Sequence, residues 1–126
     1  MHFLINALVI ALVAADNACN DADKKTIKGP LFPGYLWQCT YDAFLAPKTV
    51  IRKCLKKGCR LTDECAQCFG DFGKCGLNCT MQCLEKPSDP RCKKCMEEHN
   101  CNAPLLKCTG LIQIMPAPTA KSKQCK

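Results

Sequence analysis

Residues 54–83 read CLKKGCRLTDECAQCFGDFGKCGLNCTMQC, seven cysteines in thirty positions. Cys75, Cys79 and Cys83 step by four, which places all three on one face of a helix. Thr62 stands ahead of Asp63 and Glu64, an N-cap followed by acids where the helix dipole favours them. Just upstream, Pro47 suits a first helical position. Val50, Ile51, Cys54 and Leu55 then recur at helical intervals, and Gly58 is expected to end that helix. Downstream, Pro87-Ser88-Asp89-Pro90 is a turn that delivers Pro90 as the start of a helix over 91–100. Asn102 and Pro104 open a last short helix through Lys107, ended by Gly110. No run alternates apolar and polar residues over a useful strand length. The fold class is therefore small, disulfide-rich and mainly α: short helices in a cystine-stapled bundle, with a core over 47–110.

The chain holds fourteen cysteines in 126 residues: Cys19, Cys39, Cys54, Cys59, Cys65, Cys68, Cys75, Cys79, Cys83, Cys92, Cys95, Cys101, Cys108 and Cys125. An apolar run, FLINALVIALV at 3–13, precedes Ala14 and Ala15, with Val13 and Ala15 at the −3 and −1 positions of a signal-peptidase site. The run is shorter than the ~20 residues that span a bilayer. Residues 1–15 are expected to be a cleaved signal peptide and the protein to be secreted. Fourteen cysteines among the 111 residues that then remain of 126 exceed the roughly 8–10% that marks a disulfide scaffold. An even count in an oxidising compartment predicts seven bridges, whose pairing the spacing leaves open. Large apolar residues are few over 47–110, so bridges are expected to supply what a thin core cannot.

Two flanks surround that core. Residues 16–46 read as an irregular arm: DNACNDADKK is polar, and Phe32-Pro33-Gly34-Tyr35 suits a type II turn. Phe32, Tyr35, Trp37, Tyr41 and Phe44 make the arm aromatic, either as a lid over the core or as a patch for a partner. Residues 111–126 lose helical pattern at Pro116 and Pro118 and end in KSKQCK. This tail is expected to be flexible except where Cys125 ties back, with the isolated Cys19 as its natural partner. Cys65-x2-Cys68 and Cys92-x2-Cys95, offset by 27 residues, suggest a weak repeat of two stapled hairpins.

The same four cysteines have the spacing of a structural zinc site, but the leader and ten further cysteines favour disulfides. No metal and no cofactor is expected. His99, the one histidine after the leader, stands beside Glu97 and Glu98. That is a helix end where imidazolium complements the dipole, and no catalytic residue is assigned. Secreted phospholipases A2 share the size, charge and cysteine content, but their Cys-Cys-x-x-His-Asp helix and glycine-rich calcium loop are missing here. The chain is expected not to be an enzyme. Eighteen Lys and Arg against eleven Asp and Glu leave a net charge of +7. Arg52, Lys53, Lys56, Lys57 and Arg60 gather on the first core helix opposite its apolar face, and Arg91, Lys93 and Lys94 form a second cluster. These charges suit an anionic partner, while the lack of interleaved aromatics argues against nucleic acid. The candidate partner surface is Phe32, Tyr35 and Trp37 together with the five basic residues of that helix. Asn78-Cys79-Thr80 is an N-glycosylation sequon in which a disulfide at Cys79 would compete with glycan transfer.

Cys54-Leu-Lys-Lys-Gly-Cys59-Arg, followed by Cys79-x3-Cys83, Pro87, Cys92 and Cys95, resembles the N-terminal cysteine-rich domain of violaxanthin de-epoxidase. Cys65-x2-Cys68-x6-Cys75 departs from that family's spacing, and the lipocalin barrel that holds the carotenoid has no counterpart in these residues. The resemblance implies a disulfide-stapled helical fold and carries over no catalytic residue. The expected function is that of a secreted, non-enzymatic protein that binds an extracellular protein or glycan, anionic ones included. The alternatives are a cationic membrane-active or defence protein making peripheral membrane contact, and an enzyme or redox accessory akin to the de-epoxidase domain.

Overall fold

The structure, a computed structural model, describes residues 16–43 and 45–126. The leader with its cleavage site, and Phe44, lie outside the described residues. The helices are α1 (Asp21–Ile27), α2 (Phe32–Tyr41), α3 (Pro47–Cys59), α4 (Asp63–Gly76), α5 (Thr80–Cys83), α6 (Pro90–Glu98) and α7 (Asn102–Thr109), with a 3₁₀ turn at Leu77–Cys79 between α4 and α5. There is no strand among the described residues, and none of their helices is long and apolar enough to cross a membrane.

Most helix starts have a local cause. The Thr62 hydroxyl accepts from the Cys65 amide at 3.4 Å, and the Asp89 carboxylate accepts from the Arg91 amide at 2.9 Å. Pro47 and Pro90 occupy first-turn positions, where a missing N–H costs nothing. Gly110 closes α7 with a left-handed backbone, φ 83°. The stop expected at Gly58 does not occur there: α3 runs on to Cys59 and ends at Arg60, which takes the left-handed conformation itself. Gly58 has another use, since a Cβ there would run into the Tyr35 ring.

The arm over 16–46 is helical in its described part, and this corrects the irregular reading. Asn20 and Asp23 form a reciprocal capping box, each side chain accepting from the other's amide, so the polar stretch opens α1. Pro33 and Gly34 lie in the first turn of α2, where proline is tolerated, and no type II turn forms. The cysteines of 75–83 do not share one helix either. Asn78 Nδ2 donates to the Cys75 carbonyl at 3.0 Å and Thr80 Oγ1 donates to that of Leu77 at 2.8 Å. These short side chains compete for helix carbonyls, and the chain tightens into the 3₁₀ turn after Gly76.

The core lies where α2, α3 and α4 meet. Ile51, Leu55, Cys65, Ala66 and Phe69 are fully buried, and Phe32 meets Phe69 edge-on with ring centroids 5.2 Å apart. Close approach of α3 to α4 depends on glycine: a Cβ on Gly70 would sit 2.6 Å from the Lys48 carbonyl oxygen, and one on Gly73 would collide with Ile51.

Seven bridges use all fourteen cysteines. Cys75–Cys101, Cys79–Cys95 and Cys83–Cys92 form a nested ladder that staples a hairpin. Cys19–Cys65, Cys39–Cys54 and Cys68–Cys108 stitch the arm and α7 to α3 and α4. Cys59–Cys125 ties down the tail. Cys19 therefore pairs with Cys65 and not with Cys125. Buried Asp23 accepts from both the amide and the hydroxyl of Thr62, at 3.1 and 2.7 Å, and so brings the start of α1 to the start of α4. The two Cys-x-x-Cys motifs bond in different ways, one to the arm and α7 and the other within the hairpin, so they do not mark a structural repeat.

Candidate functional site

α2 buries Phe32 on one side and offers Pro33, Leu36, Trp37 and Thr40 on another, spaced i, i+3, i+4, i+7. Between that face and the stapled hairpin lies a cleft of about 570 Å³. The hairpin supplies Leu77, Thr80, Leu84 and Met96, while α4 supplies Phe72, Gly73 and Gly76. Residues 114–118 of the tail close the remaining side with Ile114, Met115 and two prolines.

The tail is irregular but packed. Leu111 and Cys125 are buried, and Ile114 and Met115 lie against the core. Gly34 lets it cross α2 closely, since a Cβ there would sit 2.5 Å from the Ala120 carbonyl oxygen. Lys121 Nζ lies 3.2 Å from the Tyr41 ring centroid and 5.3 Å from that of Trp37, a cation held over two aromatic faces. Tyr41 donates its hydroxyl to Glu85 at 3.2 Å, and this hydrogen bond with the adjacent charge holds the phenol above its ordinary pKa. These contacts tie the tail to the end of α2, and α2 to the chain just past α5.

The cleft's polar groups are largely used up internally. Trp37 Nε1–H donates to the Leu84 carbonyl at 2.7 Å, Thr40 to that of Leu36 at 2.8 Å and Thr80 to that of Leu77 at 2.8 Å. What remains is at the α6 edge, where Lys93 and Glu97 are exposed one helical turn apart, with Asn102 nearby in the lining. Apolar walls with a few polar groups at one edge are the usual make-up of a small-molecule site, and the volume falls in the range of roughly 300–1,000 Å³ typical of one.

The residues expected to form a partner surface separate. Phe32 is fully buried and is withdrawn from any partner, because the thin core takes its ring. Tyr35 is half-buried and donates to the Cys54 carbonyl at 3.4 Å. These two are the lid of the alternative reading, whereas Trp37 is a cleft wall. Four of the five basic residues stand on α3, and Arg60 is its C-cap. Lys56 and Arg52 lie 3.0 and 3.3 Å from Asp63 and together hold its carboxyl below the ordinary range, whereas Lys53, Lys57 and Arg60 are exposed with no ion pair among the described residues. Asn78 is exposed in the 3₁₀ turn, next to the buried Cys79. His99 caps α6, also exposed. The four cysteines with zinc-site spacing belong to four different bridges. Where His99 approaches Cys79 and Cys95, or Asp23 approaches Cys19 and Cys65, the two sulfurs are bonded to each other and offer no thiolate.

The cleft itself has no counterpart in the sequence reading. Its signals were the apolar residues Ile114 and Met115 in a tail without helical period, and the second apolar face of α2. Comparison with protein-family models, curated proteins and solved structures gives no match.

Proposed function

We propose that this is a secreted, non-enzymatic binding protein whose ligand is a small, largely apolar molecule held in the cleft between α2, the stapled hairpin and the tail. The observation that carries this reading is the pairing of a 570 Å³ apolar volume with lining donors already committed to helix carbonyls. Such a site has little to offer the polar parts of a ligand except at the α6 edge. Secretion draws support from the N-terminal leader pattern and from seven bridges, which persist in oxidising compartments.

The alternative of a membrane-active protein would use the aromatic rings for insertion. Phe32 is buried, and Tyr35 and Trp37 are hydrogen-bonded to backbone, so the rings favour the cleft reading.

Titration with N-phenyl-1-naphthylamine, which brightens in apolar surroundings, tests the proposal. The expected result is saturable enhancement, one probe per chain, with a Kd on the order of tens of micromolar for a ligand of that size. Ala117→Phe and Leu77→Arg, both at exposed lining positions, should weaken binding while circular dichroism stays native. Enhancement that never saturates, or that ignores both substitutions, would overturn it.

A further inference from the structure

On α3, Lys53 and Lys57 stand at i and i+4 on the side opposite buried Ile51 and Leu55, and Arg60 follows as the helix's C-cap. Lys123 and Lys126 are far away in sequence, but the Cys59–Cys125 bridge holds its two Cα atoms 5.2 Å apart. Lys57 and Arg60 lie within two residues of Cys59, and Lys123 and Lys126 within two of Cys125. With about 3.8 Å between successive Cα atoms, no two of these four Cα atoms can be more than about 20 Å apart. All five side chains are exposed, and none has an ion pair among the described residues. Of the nearby acids, Asp63 is engaged by Lys56 and Arg52 and buried Asp23 by Thr62, while Glu64 is exposed and has no ion pair among the described residues.

Complementing the dipole at the C-terminal end of α3 would account for Lys56 and Lys57. It leaves the tail lysines unexplained. A membrane surface would want apolar groups beside the charges, and α3 adds only the marginally exposed Val50 there, the rings of Phe32, Tyr35 and Trp37 being packed away. We infer that the Cys59–Cys125 bridge assembles a composite cationic site for a sulfated polysaccharide, a linear polyanion whose sulfate groups are met by lysines from α3 and the tail together with Arg60. This site is separate from the apolar cleft and does not depend on it.

Heparin affinity chromatography of the oxidised protein, eluted with a salt gradient, tests the inference. The protein should be retained at about 0.15 M salt, where weak surface attraction is largely screened. Lys123→Gln/Lys126→Gln should elute earlier, as should Lys53→Gln/Lys57→Gln, with affinity falling about two- to fivefold per charge removed. Lys93→Gln/Lys94→Gln should elute with the wild type, and heparin stripped of sulfate should not retain the protein. The inference fails if the wild type flows through at that salt, if the tail pair elutes unchanged, or if the Lys93 and Lys94 pair matters equally. Binding to phosphatidylserine vesicles that heparin does not compete away would assign the face to membranes and also overturn it.

Discussion

Trp37 Nε1–H donates to the Leu84 carbonyl at 2.7 Å, joining α2 to the end of the stapled hairpin across 47 residues of sequence. This bond sets the separation of two walls of the cleft. Trp37→Phe keeps an aromatic ring but loses the pyrrole part of the indole and leaves the half-buried carbonyl unpaired, a loss of at least about 1–2 kcal/mol. Urea denaturation should report that loss together with weaker probe binding. Unchanged stability and unchanged probe affinity would mean the bond does not hold the walls.

The tail bridge should matter to the cleft as well as to stability. Cys59 and Cys125 are 66 residues apart, the longest separation of the seven. The Cys59→Ser/Cys125→Ser variant keeps six bridges and should still fold, with stability lower by about 2–4 kcal/mol. Released at its far end, the tail no longer presses 114–118 against the hairpin, and probe binding should weaken at least severalfold. Thermal denaturation and probe titration of the same sample check both effects.

Two glycines of α4 should respond in opposite directions to the same substitution. Gly70→Ala drives a Cβ to 2.6 Å from the Lys48 carbonyl oxygen, so α3 and α4 must separate at a cost of about 1–3 kcal/mol. At Gly76 the nearest atoms to a new Cβ are those of Met96 at 3.8 Å, an ordinary contact. Gly76→Ala should therefore be neutral or stabilising by up to about 1 kcal/mol through helix propensity. Melting temperatures of the two variants decide this.

Acid should loosen the hairpin within a defined window. Asp89 caps α6, and its hydrogen bonds from the Arg91 guanidinium and amide lower its carboxyl from 3.8 to about 2. The unfolded chain binds this proton first as pH falls, so the contribution is complete above 3.8 and is lost between 3.8 and about 2. Circular dichroism and probe binding followed through that range should decline together. Asp89→Asn should remove this part of the acid response, and an identical profile would show that Asp89 has no such role.

The helical core was legible because its signals are local. Pro47, Thr62 and Pro90 each act within one turn, and the cysteine density announced bridges independently of their pairing. Local signals failed where distant residues decide. Phe32-Pro33-Gly34-Tyr35 has turn composition, yet burial of Phe32 against Phe69 draws it into a helix. Gly58 looks like a helix stop and is instead room for Tyr35. Cys19 pairs with Cys65 because Asp23 reaches Thr62, a contact over 39 residues that spacing does not reveal. The cleft is assembled from α2, α4, the hairpin and the tail, so it has no expression in any one stretch of chain.

The methionine methyl groups offer the most direct test of the cleft. Met96 and Met115 line it, whereas Met81 is 93% exposed and lies outside the lining. In ¹³C-methyl NMR of the oxidised protein, N-phenyl-1-naphthylamine should shift the Met96 and Met115 signals along one saturable curve and leave Met81 in place. Resonances of Met96 and Met115 that stay still at saturating probe, or a Met81 shift of equal size, would contradict the account.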